Sequence, residues 1–245
     1  MNVVFSFDDG RSDAYLAHSI LKKYNLVGSF HITTGFIDGT FQTKVFGDNR
    51  TPLSVTQINE MSRNGMDISS HGDRHIMETT DFRVSLNKLK SFGLNFSKIG
   101  FSIPNSCSDS KTIKNFIEDN KCYLSYIRVG RSEKCYLLIS KIRYFLYHIF
   151  HFQTFFNHFN KHNVFERVDR FKINSLVVLK DSKSKNIMRF IKNYKDTNRT
   201  LVLMFHSIVE KPKNKWEYSI KEFEDICKYV SQNACSRTLA QICNN

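Results

Sequence analysis

Apolar residues in this 245-residue chain come in short runs separated by amphipathic stretches. The first run, residues 3–7 (VVFSF), is β-branched and aromatic and has the length of a buried strand. From Asp13 to about Tyr24 the spacing changes to three and four, which aligns Ala14, Leu16, Ala17, Ile20 and Leu21 on one helical face. Ser12 and Asp13 stand where a helix cap would. Residues 26–33 read as a second strand, and Val55–Arg63 as a helix stopped by Asn64-Gly65. A short strand at 66–70, a helix at 80–92, a strand at 99–103 ended by Pro104, a helix at 111–119 and a strand at 122–129 follow. After an interruption the alternation resumes. A strand at 171–179, a helix at 184–194, a strand at 200–205, a helix at 220–230 and a last short strand at 236–239 are expected.

Strands alternating with helices predict βα units and a parallel sheet, open or closed into a barrel. In either form, functional side chains gather at the carboxyl ends of the strands. No repeat or low-complexity linker divides the chain, so residues 1–245 are read as one domain. The interruption at about 131–169 is crowded with aromatic and basic residues and holds His148, His151, His158 and His162. It reads as an inserted helical hairpin packed on the domain, a membrane-surface or partner-docking element, or a substrate lid.

Composition narrows the picture only in part. A hydrophobic content of 41% with 22 Phe supplies a substantial core. The balance of 36 Lys+Arg against 23 Asp+Glu is compatible with an anionic membrane, an acidic glycan or nucleic acid. That charge is spread along the chain and no nucleic-acid motif accompanies it, so nucleic acid is not the expected partner. The six cysteines form no CxxC pair, and no secretory signal is legible, so reduced thiols and a cytoplasmic address are expected. No apolar run has the length of a membrane span.

The candidate chemistry sits at predicted strand ends. The first strand delivers two adjacent carboxylates, Asp8 and Asp9, followed by Gly10. Two anions side by side repel, and burying either without a partner is costly. A cation resolves that conflict if other ligands are at hand. His71 and His75 follow another predicted strand at a spacing of four, which on a helical turn points both imidazoles one way. Two imidazoles and one carboxylate make a three-ligand site for a catalytic divalent ion, zinc first, with cobalt, nickel or manganese as alternatives. The second carboxylate is then available as a base. His206, closing the strand at 200–205, is available as an acid, although singly it reads as a core histidine.

These residues carry a resemblance. Ser6-Phe7-Asp8-Asp9-Gly10 resembles the TFDDG motif of the polysaccharide deacetylase family (the NodB-homology domain, carbohydrate esterase family 4). Residues 65–75 resemble its paired-histidine motif, and residues 201–207 its closing hydrophobic-x-His motif. The resemblance implies a distorted (β/α) barrel of about seven strands. It implies a metal held by Asp9, His71 and His75, with Asp8 as general base and His206 as general acid. It implies hydrolysis of an N-acyl group from an amino sugar in a glycan or a lipid-linked or nucleotide-linked precursor. A decayed, glycan-binding member, a deformylase and an O-acetyl esterase are the alternatives. One departure stands out: where the family has R-x-P-[YF], this chain has Ser102-Ile103-Pro104-Asn105. The arginine that orients the base is missing there, and Arg128 or Arg170 could replace it. Pro104, Asn105 and Arg128 are the candidate substrate-binding residues. The family's fourth motif, an acidic-aromatic pairing, has no clear counterpart. The basic, aromatic insertion would suit a peripheral contact with an anionic membrane.

Overall fold

The computed structural model describes residues 1–41, 51–106, 110–130, 145 and 153–244. Strands β1 (Asn2–Phe7), β2 (Gly28–Ile32), β3 (Asp67–Ser70), β4 (Ile99–Ser102) and β5 (Leu124–Val129) lie parallel and adjacent in that order. They are connected through α1 (Asp13–Lys23), the short α2 (Thr34–Ile37), α3 (Val55–Arg63), α4 (Thr79–Ser91) and α5 (Ser110–Asn120). The second half adds α6 (Gln153–Asn160), β6 (Val164–Phe165), β7 (Ile173–Asn174), β8 (Leu176–Val177), α7 (Ser184–Lys192) and β9 (Thr200–Phe205). It ends with β10 (Ser207–Val209), β11 (Glu217–Ser219), α8 (Ile220–Asn233), β12 (Cys235–Ser236) and α9 (Leu239–Cys243).

The sheet curls on itself. β9 pairs in parallel with β1, β7 with β5, and β8 with β9. Only Ser175 separates β7 from β8, so this segment bridges the two ends of the strand row and makes a distorted (β/α) barrel. The single strand expected at 171–179 is therefore two short ones. Ser175 leaves the ladder and donates its hydroxyl to the Val129 carbonyl at 2.9 Å, and the chain changes partner there. The last strand is also shorter than expected. Thr238 accepts a hydrogen bond from the Gln241 backbone N–H in a capping box, so Leu239 opens a helix instead of ending a strand. Ser12 makes no side-chain cap on α1, and its hydroxyl instead accepts from Thr51 at 2.9 Å.

Successive strand residues face opposite sides, and the two sides of this barrel differ in chemistry. Outward, Phe5, Phe7, Phe30 and Phe205 stack between barrel and helices, with Phe7 and Phe30 ring centroids 4.6 Å apart, and Phe223 of α8 meets Phe5, Phe7 and Phe205 edge-on. Each such ring, fully buried, contributes roughly 1.5–3 kcal/mol. Inward, among the described residues, a small apolar cluster forms from Val4, Tyr126, Ile173 and Val202, and α9 adds Leu239 and Ile242 to it. The other strand positions that share the parity of those residues are largely polar: Ser6, Ser29, His31, Asp67, Ser69, Ser102 and Arg128.

Of the insertion expected at 131–169, residues 131–144 and 146–152 lie outside the described residues. The described part includes α6, whose buried Phe156 meets Phe190 of α7 at 5.6 Å between ring centroids. It also includes β6, antiparallel to β9. Among the described residues no helix is long and apolar enough to cross a membrane.

Candidate metal and catalytic site

The loops that follow β1, β3 and β4 meet at the carboxyl end of the barrel. β1 ends at Phe7, and Asp8 continues its interior face. Asp9 and Gly10 then take positive φ values of 78° and 80°. That bend turns the second carboxylate out of the strand and toward the loop after β3. Both carboxylates are buried.

His71 and His75 are brought together by a loop, not by the helical turn their spacing suggested. The reversal rests on left-handed backbone at Gly72 (φ 81°) and His75 (φ 58°). A Cβ at Gly72 would lie 2.7 Å from Asp81 Oδ2. Asp81 shapes the loop from the first turn of α4, accepting from the backbone N–H of Asp73 at 2.7 Å and of Arg74 at 3.1 Å. The outcome is two imidazole rings 4.7 Å apart. Among the described residues, non-glycine positive φ occurs at Asp9, His75, Asn105 and Asn25. Three of these four surround the candidate site, which is where backbone strain tends to be retained for function.

Donor atoms of Asp9, His71 and His75 all lie within 4.8 Å of one another. Asp9 Oδ1 is 3.6 Å from His71 Nε2 and 3.7 Å from His75 Nε2. Bonds of about 2.0–2.2 Å to a tetrahedral ion would place donors roughly 3.3–3.6 Å apart, close to the two Asp9–histidine separations. His71 Nδ1 donates to the Ser102 carbonyl at 2.9 Å, which leaves the Nε2 lone pair facing Asp9. Burial lowers both imidazoles below their ordinary pKa, His71 strongly, and keeps them neutral as ligands must be. Burial pushes the Asp9 carboxyl up to about 7, against the opposing pull of Arg11. A bound cation would reverse that rise. The residues present fit a divalent metal.

Asp8 has a different set of neighbours. Arg128 Nη2 donates to its two oxygens at 2.7 and 2.5 Å, and Ser102 Oγ donates at 3.2 Å. Burial alone would raise this carboxyl. Arg128, with His71 and His31, more than offsets burial and holds it well below the usual carboxylate range. Arg128 is fully buried and also contacts Ser102 Oγ, Met204 Sδ and Ser175 Oγ. It stands directly beside Ser102 in the β4–β5 register. The guanidinium absent at position 102 is thus supplied from the neighbouring strand, and the small Ser102 leaves room for it. Of the groove candidates, Arg128 lies beneath Asp8, whereas Asn105 is exposed at the end of β4 and Pro104 is buried beside it. Arg170 is on the surface, its guanidinium 4.7 Å from the Phe171 ring centroid.

His206 follows β9, where Phe205 pairs with Phe7 and its carbonyl accepts from the Asp8 backbone N–H at 3.1 Å. Burial lowers the His206 imidazole to about 4, with Asp8 pulling the other way. Its ring packs against Trp216 at 4.6 Å between centroids. Among the described residues its Nδ1 has no hydrogen-bond partner.

A profile of the polysaccharide deacetylase family matches residues 1–129, just over half of the chain. The chain belongs to the polysaccharide deacetylase family. Solved structures with the same fold include a family 4 acetyl xylan esterase from Clostridium thermocellum in complex with a cobalt ion. That match has 14% identity and a TM-score of 0.54, over 99% of this chain and 90% of the esterase. A family 4 carbohydrate esterase from Streptomyces lividans in complex with acetate matches at 12% identity and a TM-score of 0.52, over 96% and 91% of the two chains. A peptidoglycan deacetylase from Bacillus subtilis matches at 13% identity and a TM-score of 0.50, over 98% and 88%. A comparison with curated protein sequences gave no match.

Several residues of this deacetylase-family site escaped the sequence reading. Arg11 forms a buried ion pair with Asp9 at 3.1 Å, in an alignment short of a hydrogen bond, and donates to Ser207 Oγ at 3.1 Å. Asp81 shapes the histidine loop, and Trp216 packs on His206. His31 and Tyr126 line the barrel beneath Asp8. The available signals were slight: the chain's single Trp, and a histidine inside the apolar run of residues 26–33.

Proposed function

We propose that this protein is a metal-dependent hydrolase that removes an N-acetyl group from an amino sugar in a glycan or in its lipid-linked or nucleotide-linked precursor. The observation that carries this reading is the junction of a three-donor cluster, Asp9, His71 and His75, with a separately held carboxylate, Asp8. The reading treats residues 1–245 as one catalytic domain. Zinc suits the mixed nitrogen and oxygen donors best. When bound, the ion supplies Lewis acidity toward the acyl carbonyl and toward water.

The residues of the chain do the rest. Asp8, kept ionised by Arg128, takes the proton of the attacking water. Arg128 and Ser102 hold Asp8 in place. His206 gives a proton to the departing sugar amine, so that water and amide become acetate and amine. Burial disfavours the imidazolium that this step needs. Negative charge developing on the substrate raises His206, which takes up a proton from solvent and passes it to the amine. Asn105 and Pro104, just beyond β4, are the proposed substrate contacts, and Trp216 offers an aromatic face beside His206.

The test is acetate release from N-acetylated oligosaccharides and from nucleotide- and lipid-linked N-acetyl amino sugars. Zinc-loaded protein is expected to release acetate together with a new primary amine. Acetate released only from O-acetylated glycans, without an amine, would replace the amide reading with an ester one. Tight sugar binding with no product would instead support a catalytically impaired glycan-binding protein.

A further inference from the structure

Beneath Asp8 the barrel holds a line of polar groups that the reaction above leaves unused. His31 on β2 is fully buried. Its Nδ1 lies 3.3 Å from the Phe7 carbonyl, 3.4 Å from Asp8 Oδ1 and 3.5 Å from Ser6 Oγ. Its Nε2 lies 3.1 Å from the Tyr126 hydroxyl. That hydroxyl is 2.8 Å from Asp67 Oδ2 and 2.9 Å from Ser69 Oγ. Ser69 donates its own proton to Asp67 Oδ1 at 2.9 Å. The line therefore runs from the carboxyl end of β1 to the first residue of β3. The Tyr126 ring is fully buried and packs directly over Gly100, where a Cβ would lie 2.0 Å from it.

Counting protons along this line gives one more than a neutral histidine supplies. The single hydroxyl proton of Tyr126 goes to its nearest and only charged acceptor, Asp67. Nε2 of His31 must then carry a proton of its own to meet the Tyr126 oxygen. At Nδ1, the carbonyl of Phe7 and the carboxylate of Asp8 can only accept. Both are nearer than Ser6, the one neighbour able to donate. A bare Nδ1 would set its lone pair against two acceptors, whereas a protonated one satisfies them. Three gaps need three protons, and a neutral imidazole and a phenol bring two.

We propose that His31 carries a proton on both ring nitrogens and is a positioning residue for Asp8, acting alongside Arg128 and kept in that state by the Tyr126–Asp67 pair. The catalytic consequence rests on the reading of Asp8 as the base; the proton count does not. Two cations then bracket the carboxylate, which offsets its burial and limits the directions in which it can turn. The line below Asp8 is thus a support built into the barrel interior, with Asp67 as its counter-charge.

The experiment is long-range ¹H–¹⁵N spectroscopy of the full chain, zinc-loaded and labelled at histidine, at mildly alkaline pH where an ordinary imidazole is neutral. His31 is assigned by the signals lost in His31→Gln. Protonation of both His31 nitrogens is expected, with reversion to a single protonated nitrogen in Asp67→Asn. One unprotonated His31 nitrogen in the unmodified protein would overturn the proposal, whatever the enzyme's substrate turns out to be. In turnover, Tyr126→Phe and His31→Gln should each lower kcat about 10- to 100-fold, with KM and metal content unchanged. Wild-type kcat in both variants would overturn the positioning role even if both protons were present.

Discussion

The barrel interior below Asp8 and the loop crown around Asp9 treat two neighbouring carboxylates in opposite ways. Both side chains are buried, and burial raises each. Below, Arg128 grips Asp8 and holds it well under the usual carboxylate range. Above, Asp9 faces two neutral imidazoles, and the pull of Arg11 and, more weakly, of Arg128 does not offset its burial, so it rises to about 7. The bend at Asp9-Gly10 produces this separation, because it sends successive side chains into different surroundings. Asp8 stays charged through partners the protein already contains. Asp9 lacks enough positive charge until a cation arrives. On the proposed reading, a catalytic base and a metal ligand can therefore be adjacent in sequence without competing for one role.

Removing the crown should have the largest effect. His71→Ala and His75→Ala are expected to lose bound metal and to reduce acetate release to background, read by metal analysis and product assay on the same samples. Next comes Asp8, the proposed base. Asp8→Asn should lower turnover about 10²–10⁴-fold with little change in KM. Full turnover in that variant would remove Asp8 from the mechanism.

Removing the interior partner tests the comparison through stability. Arg128→Met leaves Asp8 buried without its main cation and should cost roughly 3–5 kcal/mol in denaturant unfolding. The double variant Asp8→Asn with Arg128→Met should recover a sizeable part of that loss, because the unpaired charge is gone. Strictly additive losses would mean the pair is not coupled.

The smallest expected effect concerns His206. Its folded pKa, about 4, lies below its ordinary 6.5. Stability from keeping it neutral is present above 6.5 and is lost as pH falls through 4. His206→Gln should therefore lose less stability than the unmodified protein between neutral pH and pH 4 in thermal melts without metal. An unchanged acid sensitivity would contradict the shift.

Much of the fold was legible because helix and strand periods are local properties of sequence. Val55–Arg63 and Thr200–Phe205 fall where their patterns end, at Asn64-Gly65 and at His206. The strand-end positions of Asp8, Asp9, His71, His75 and His206 followed from the same periods. What was not legible depends on distant neighbours. Arg128 reaches Asp8 only because β4 and β5 pair Ser102 with Arg128, a register that no single strand specifies. The histidine pair depends on Asp81 and two left-handed residues rather than on a helical turn. The polar interior was visible in principle, since Ser6, His31, Ser69 and Tyr126 interrupt apolar strands. Reading those strands simply as buried runs merged their two faces. Strands as short as Ile173–Asn174 and Leu176–Val177 carry too few residues for any period to emerge.

The division of labour between the two carboxylates is tested most directly by zinc stoichiometry in two side-by-side variants, Asp8→Asn and Asp9→Asn, each first confirmed as folded by circular dichroism. The expected result is one tightly bound ion per chain in Asp8→Asn and none in Asp9→Asn. Retention of the ion by Asp9→Asn, or its loss from Asp8→Asn, would contradict it.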